Sequence, residues 1–172
     1  MSVILICGAN GSGKTTLGRL LAKEINFSFL NDEEYYFLDS DIPFSASRTD
    51  KDAKDYVLSY IDQHKDVVIV SSRGDLRQDI NSLYDYVIYL SASKEIRLSR
   101  IEQRDKQRFG KRVLRGGDMY EQQMAFYEFV ASRTPERIEK WLNTLDCKVF
   151  WLDGTKCLKD NIKYIKSQIS TH

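Results

Sequence analysis

Gly8-Ala9-Asn10-Gly11-Ser12-Gly13-Lys14-Thr15 follows directly on the apolar run Val3-Ile4-Leu5-Ile6-Cys7. The pair reads as a buried strand running into a phosphate-binding loop: a Gly, four free positions, then Gly-Lys-Ser/Thr. Glycines let the backbone turn tightly and aim successive N–H groups at one phosphate. The Lys14 ammonium can reach β- and γ-phosphates, and the Thr15 hydroxyl can ligate Mg²⁺. A helical pattern begins at once, with Leu17, Leu20, Leu21 and Ile25 on one face, so the positive end of a helix adds to the same anion site. Gly8, Asn10, Gly11, Ser12, Gly13, Lys14, Thr15 and Thr16 are therefore the expected binding residues for a nucleoside triphosphate with Mg²⁺. A glycine-rich turn that matched by chance would not need the strand before it and the helix after it.

Outward from the loop, short β-branched runs alternate with longer amphipathic segments, which predicts α/β architecture with a parallel sheet. Strands are expected over 3–7, 27–30, 67–70, 86–90 and 148–152. Helices are expected over 14–25, 50–63, 77–83, 94–109, 119–131 and 135–145, with a closing helix ending near 169. Asp50 and Ser93 are the expected caps of the second and fourth helices, and Gly110 ends the fourth. Tyr56, Val57, Tyr60 and Ile61 form the expected buried stripe of the second. Gly116-Gly117 marks a flexible break.

The chain has 172 residues, no repeat and no low-complexity linker, which suits one domain. Its 26 basic and 25 acidic side chains leave a formal charge of +1, against a general nucleic-acid binder. Three unpaired cysteines, Cys7, Cys147 and Cys157, have no metal or redox spacing. No apolar run approaches membrane-spanning length, so a soluble, cytoplasmic protein is the expectation. No exposed apolar stripe stands out, and a monomer is the default.

In open parallel sheets ligands sit beyond the carboxyl ends of the strands. The phosphate loop, Asp32-Glu33, Ser71-Ser72-Arg73-Gly74, Ser91 and Asp153-Gly154-Thr155 all fall at such ends. Their order and spacing resemble a small P-loop kinase of the adenylate kinase and shikimate kinase superfamily, the nucleoside and nucleotide kinase-like proteins. The resemblance rests on GANGSGKT, an acidic residue ending strand two, an Arg ending strand three, Tyr86-Val87-Ile88-Tyr89-Leu90 before the helix EIRLSRIEQR, and the late DGT. It implies a three-layer fold with a five-stranded parallel sheet in the order 2-3-1-4-5, a helical lid over about 104–118, and an acceptor-binding insert over about 32–66.

The same resemblance implies ATP-dependent transfer of a phosphoryl group to a nucleotide, nucleoside or similar small acceptor. Lys14 and the loop would hold the donor phosphates, Thr15 and Asp32 the metal, and Gly154 and Thr155 the adenine. Asp32 would also act as base or acceptor anchor, since a carboxylate can take a hydroxyl proton. Glu33 is a weaker candidate beside it. Among Arg104, Arg108, Lys111, Arg112 and Arg115, Arg104 and then Arg112 are the expected catalytic lid residues. Their alternative is a solvated basic helix end. Arg48 and Arg73 occupy places where adenylate kinase-like enzymes grip an acceptor phosphate, with Arg77 a substitute for Arg73; surface arginine is the alternative for each. Tyr35, Tyr36, Phe37 and Phe44 suit either a pocket floor or core packing, whereas Met119, Tyr120, Met124, Phe126, Tyr127 and Phe129 read as core or lid packing.

The departures from the family pattern leave the acceptor open. Asp-Gly-aromatic-Pro-Arg is replaced by Ser71-Ser72-Arg73-Gly74, and shikimate kinase's triple glycine is missing. Three other readings remain: an ATP hydrolase, an ATP-binding regulator without a small acceptor, and a kinase acting on a nucleic-acid end.

Overall fold

Val3, Leu5 and Cys7 of the first strand turn to one side of a sheet, and Ile4 and Ile6 to the other, all five buried. A strand covered on both faces is the condition for a central position in a parallel sheet, and that is where it lies. The computed structural model describes residues 1–73 and 78–169. Its strands are β1 (Ser2–Cys7), β2 (Ser28–Leu30), β3 (Asp66–Ser71), β4 (Tyr86–Ser91) and β5 (Lys148–Asp153). Among the described residues they form one five-stranded sheet in the order β2-β3-β1-β4-β5, every pairing parallel. The sheet order is the one implied by the resemblance to P-loop kinases.

Helices cover both faces. They are α1 (Lys14–Ile25), α2 (Asp32–Tyr36), α3 (Asp50–His64), α4 (Gln78–Asn81), α5 (Lys94–Phe109), α6 (Tyr120–Ser132), α7 (Glu136–Leu142) and α8 (Leu158–Ile169). On one face Leu17 and Leu21 of α1 and Ile162 and Ile165 of α8 pack on Ile4, Ile6, Val68, Val70 and Ile88. On the other, Val57 and Ile61 of α3 and Ile138 and Trp141 of α7 pack on Leu5, Ile69 and Val87. No described helix is long and apolar enough to cross a membrane.

Several local expectations are corrected. Thr49 caps α3, its hydroxyl accepting from the Asp52 N–H at 3.1 Å, and Asp50 is the first helical residue instead. The buried stripe of α3 is Ala53, Val57 and Ile61, a strict four-residue spacing; Tyr56 stands outside under the Arg48 guanidinium. Asp32 and Glu33 open α2 rather than close β2. Tyr35 is core, fully buried, with its hydroxyl donating to the Val70 carbonyl at 2.9 Å. Past α5, a 3₁₀ turn (Gly110–Val113) leads into a tight reversal at Gly116-Gly117. Gly117 N–H donates to the Leu114 carbonyl at 2.8 Å, and a Cβ at Gly117 would run into the Arg112 carbonyl. Gly74, Arg77 and His172 lie outside the described residues.

Candidate active site

The loop between β1 and α1 has the geometry its glycines allow. Gly13 caps α1 at φ +102°, and no side chain caps this helix, so its first-turn N–H groups are left to meet an anion. Gly11, at φ +82°, lies against the backbone of Arg97, where a Cβ would collide with the Arg97 carbonyl. The loop is held from behind by α5. Arg97 donates to the Asn10 carbonyl at 3.3 Å, while Arg100 donates to the carbonyls of Ser12 (3.2 Å) and Gly154 (3.0 Å). These bonds engage two loop carbonyls and, through Arg100, link the loop to Gly154 just past β5.

Lys14 is buried, and its Nζ donates to the Ala9 carbonyl at 3.1 Å. Among the described residues it has no ion-pair partner within 4.0 Å. Burial pushes its pKa down, opposed by the charge of Asp32 and reinforced by Arg133 and Arg104. A buried cation with no ion-pair partner among the described residues, at a bare helix N-terminus, fits a polyphosphate. The cysteine beneath it, Cys7, is pushed up to about 12 by burial and is a core residue without thiolate chemistry.

A cavity of about 800 Å³ opens over this loop. Asn10 through Thr16 line it, with Gly154, Lys156 and Asn161 beside them and Asp32, Glu33 and Ser72 across from them. Asp32 Oδ2 accepts from the Ser72 N–H at 3.1 Å, which ties the start of α2 to the end of β3. Thr15 Oγ1 lies 3.5 Å from Asn31 Oδ1. Thr15 and Asp32 thus face one space, a sparse oxygen set that suits Mg²⁺, an ion that keeps waters and phosphate oxygens as its other ligands. The described residues hold no group of three or more His, Cys, Asp or Glu that could bind a metal.

The arginines expected of a lid separate. Arg104 points into the cavity, its Nε and Nη2 both 2.8 Å from Asp105 Oδ1. Asp105 is buried and its Oδ2 accepts from the Gln123 side-chain amide at 2.6 Å. Arg112 is not among the cavity-lining residues; it is paired with Asp118 at 2.7 and 3.0 Å and reaches the Asp41 carbonyl at 3.4 Å. Arg108 pairs with Glu33 at 3.0 Å.

Arg48 and Arg73 both line the cavity, each already engaged. Arg48 Nη1 donates to the carbonyls of Glu34 and Phe37, both at 2.7 Å. Arg73 sits 3.5 Å from Asp50 and over the Tyr36 ring. Gly8 underlies the loop beside the Leu90 carbonyl, outside the lining, and Thr155 is exposed, bound to Asp153 Oδ1 at 2.7 Å.

Residues 4–125 match the family described as AAA domain. The chain belongs to that family. This AAA-domain protein is 26% identical over 177 residues to the uncharacterized protein YqaC of Bacillus subtilis (strain 168), with 98% of each chain covered. Among solved structures, it is similar to a shikimate kinase from Acinetobacter baumannii in complex with shikimate, at TM-score 0.59 and 20% identity, covering 99% of this chain and 94% of that one. A deoxyadenosine kinase from M. mycoides with bound dATP gives TM-score 0.59 and 18% identity, covering 98% and 100%. A sugar kinase from Janibacter sp. HTCC2649 gives 0.58 and 16%, covering 99% and 95%. At these identities the likeness is one of fold, and the fold is that of the small P-loop kinases.

Three features of the site were missed in the sequence. Arg133, just past α6, donates to Asn10 Oδ1 and to the Ser72 carbonyl, each at 2.9 Å, and so spans the phosphate loop and the end of β3. Its only sequence signal is a basic residue at the end of the helical pattern before Thr134-Pro135. The buried Asp105–Gln123 pair is hidden among charged and polar neighbours of two different helices. Met119, Phe126 and Phe129, from α6 and the residue before it, line the cavity rather than only packing against their neighbours.

Proposed function

We propose that this protein is a phosphotransferase that moves the γ-phosphoryl group of ATP to the hydroxyl of a small acceptor such as a nucleoside or nucleotide. One observation carries the reading: a single cavity joins the phosphate loop and Lys14 to an aromatic chamber, with Asp32 and Arg104 on the same walls. A kinase needs such a joined space, because donor and acceptor must meet in line with water excluded. The kinases among its structural neighbours support the same reading.

The loop N–H groups and Lys14 would bind the donor phosphates. Mg²⁺, held through Thr15 and Asp32, would supply charge neutralisation at the β- and γ-oxygens. Asp32 would orient the acceptor hydroxyl and take its proton, its other oxygen being fixed by Ser72. Arg104, aimed by Asp105, and Arg133 would stabilise charge spread over the transferred group. A second reading, ATP hydrolysis, is favoured by the Asp32–Ser72 bond, which stands a carboxylate at the end of an apolar strand beside the loop.

The test is ADP release from Mg·ATP, alone and with a panel of nucleosides, nucleoside monophosphates, sugars and small acids. Strong stimulation by one class is expected. Steady hydrolysis indifferent to the panel, or tight ATP binding without turnover, would overturn the kinase reading.

A further inference from the structure

We propose that the acceptor is an uncharged compound that joins a planar aromatic ring to a free hydroxyl, the chemistry of a nucleoside, and that Phe44 is the ring that holds it. The inference rests on the kinase reading and narrows it.

The first observation is the wall of the acceptor side. Tyr36, Phe37, Phe44, Phe109, Phe126 and Phe129 all line the cavity, and they come from α2, the irregular stretch 37–49, the end of α5 and α6. Phe44 packs on two of them, edge-on to Phe37 at 5.0 Å and to Phe109 at 6.3 Å between ring centroids. A chamber walled by aromatic faces and edges suits a flat ring.

The second observation is backbone strain. Phe44 has φ +66°, a left-handed conformation that a bulky residue rarely adopts and that surrounding structure must impose. The imposing contacts are present: Ser45 N–H donates to the Ile42 carbonyl at 3.2 Å, Leu38 N–H to the Ala46 carbonyl at 3.0 Å, and Phe37 bridges to Ser47. Glycine would satisfy this backbone without strain. The ring held in this conformation lines the cavity.

The third observation is charge. On this side Arg73 faces Asp50, Arg108 faces Glu33 while lying over the Phe44 and Phe109 rings, and Arg48 Nη1 is held by the Glu34 and Phe37 carbonyls. An acceptor phosphate would have to draw Arg73 or Arg108 off its carboxylate or rely on Arg48, whereas a neutral ring disturbs neither pair.

In the transfer, the acceptor hydroxyl oxygen forms a bond to Pγ. The bond from Pγ to the β,γ-bridging oxygen breaks, and its electron pair leaves on ADP. The hydroxyl proton passes to the Asp32 carboxylate and on to solvent.

The experiment is initial-rate kinetics of the full chain with Mg·ATP against matched pairs: each nucleoside and its 5′-monophosphate, with hexoses and cyclic hydroxy acids as non-aromatic acceptors. A nucleoside is expected to exceed its monophosphate and every non-aromatic acceptor in kcat/KM. Phe44→Ala is expected to raise the nucleoside KM by about tenfold or more, the usual cost of losing one base-stacking ring, with the KM for ATP nearly unchanged. Phe44→Tyr should keep most of the affinity. Phe44→Gly separates recognition from folding: it and Phe44→Ala both lose the ring contacts, but glycine also relieves the strain, so it should melt above Phe44→Ala and still raise the nucleoside KM. Preference for a monophosphate or a sugar, or a nucleoside KM indifferent to Phe44→Gly, would overturn this inference and leave the kinase reading standing. Stimulation by no acceptor would sink the kinase reading itself.

Discussion

The two sides of the cavity are built by different means. The proposed donor side is seven consecutive residues, Asn10 through Thr16, with the Asn10 and Ser12 carbonyls engaged by Arg97 and Arg100. The acceptor side is assembled from side chains scattered between Asp32 and Phe129. A triphosphate is the same in every substrate of its class, so a fixed loop of N–H groups suffices. An acceptor varies in shape and charge, and only side chains can vary with it.

The largest effect should come from the donor side. Lys14→Ala is expected to lower turnover by at least about 10²–10³-fold, the range for removing one preorganised charge-stabilising donor. Steady-state ADP release and circular dichroism would check that activity goes while the fold stays. Near-wild-type turnover would mean that the loop does not hold the reacting phosphate.

The lid comes next, and it sharpens the contrast within one segment. Arg104→Ala is expected to lower kcat by about 10²-fold with a much smaller change in ATP affinity, as for a contact that strengthens in the transition state. Arg112→Ala, paired with Asp118 away from the lining, should cost far less. Equal losses would show that the lid rearranges and brings Arg112 in. Asp105→Asn keeps a side-chain acceptor for Arg104 but removes the charge, and should fall between the two in kcat.

The smallest effect concerns pH. Burial lowers the Lys14 pKa in the folded chain below 10.5, so at alkaline pH the unfolded chain holds more protons than the folded one. Across the window from the lowered folded value to 10.5, the stability of the nucleotide-free protein should therefore rise with pH, while ATP affinity falls. Urea melts and calorimetric titration across that window check both trends. Lys14→Met should abolish both and raise the melting temperature at neutral pH, since it removes a buried cation without a carboxylate. Trends that persist in the variant would assign them to another group.

How much was legible follows from the same division. The sheet was readable because β1, β3 and β4 are apolar through both faces and are separated by segments of helical period. Its order came from the resemblance. The donor loop was readable because its residues are contiguous. Arg104 could be chosen by its place in the lid, but not told from Arg112, since the difference lies in partners, Asp105 with Gln123 against Asp118, that one helix pattern does not reveal. Arg48 and Arg73 were legible as cations of the acceptor region, but their partners, two carbonyls and Asp50, were not. Arg133 and the aromatic wall of α6 were hidden because no local period says which side of a half-buried helix meets a loop more than a hundred residues earlier in the chain. Phe44 was visible as an aromatic, but its positive φ is set by the fold around it.

The most direct test is to follow the γ-phosphoryl group itself. γ-Labelled ATP would be incubated with Mg²⁺, the full chain and an equimolar mixture of nucleosides, and the products separated. Label in a nucleoside monophosphate, lost with Lys14→Ala, is the expected result. Label found in inorganic phosphate alone would contradict it and make this protein a hydrolase.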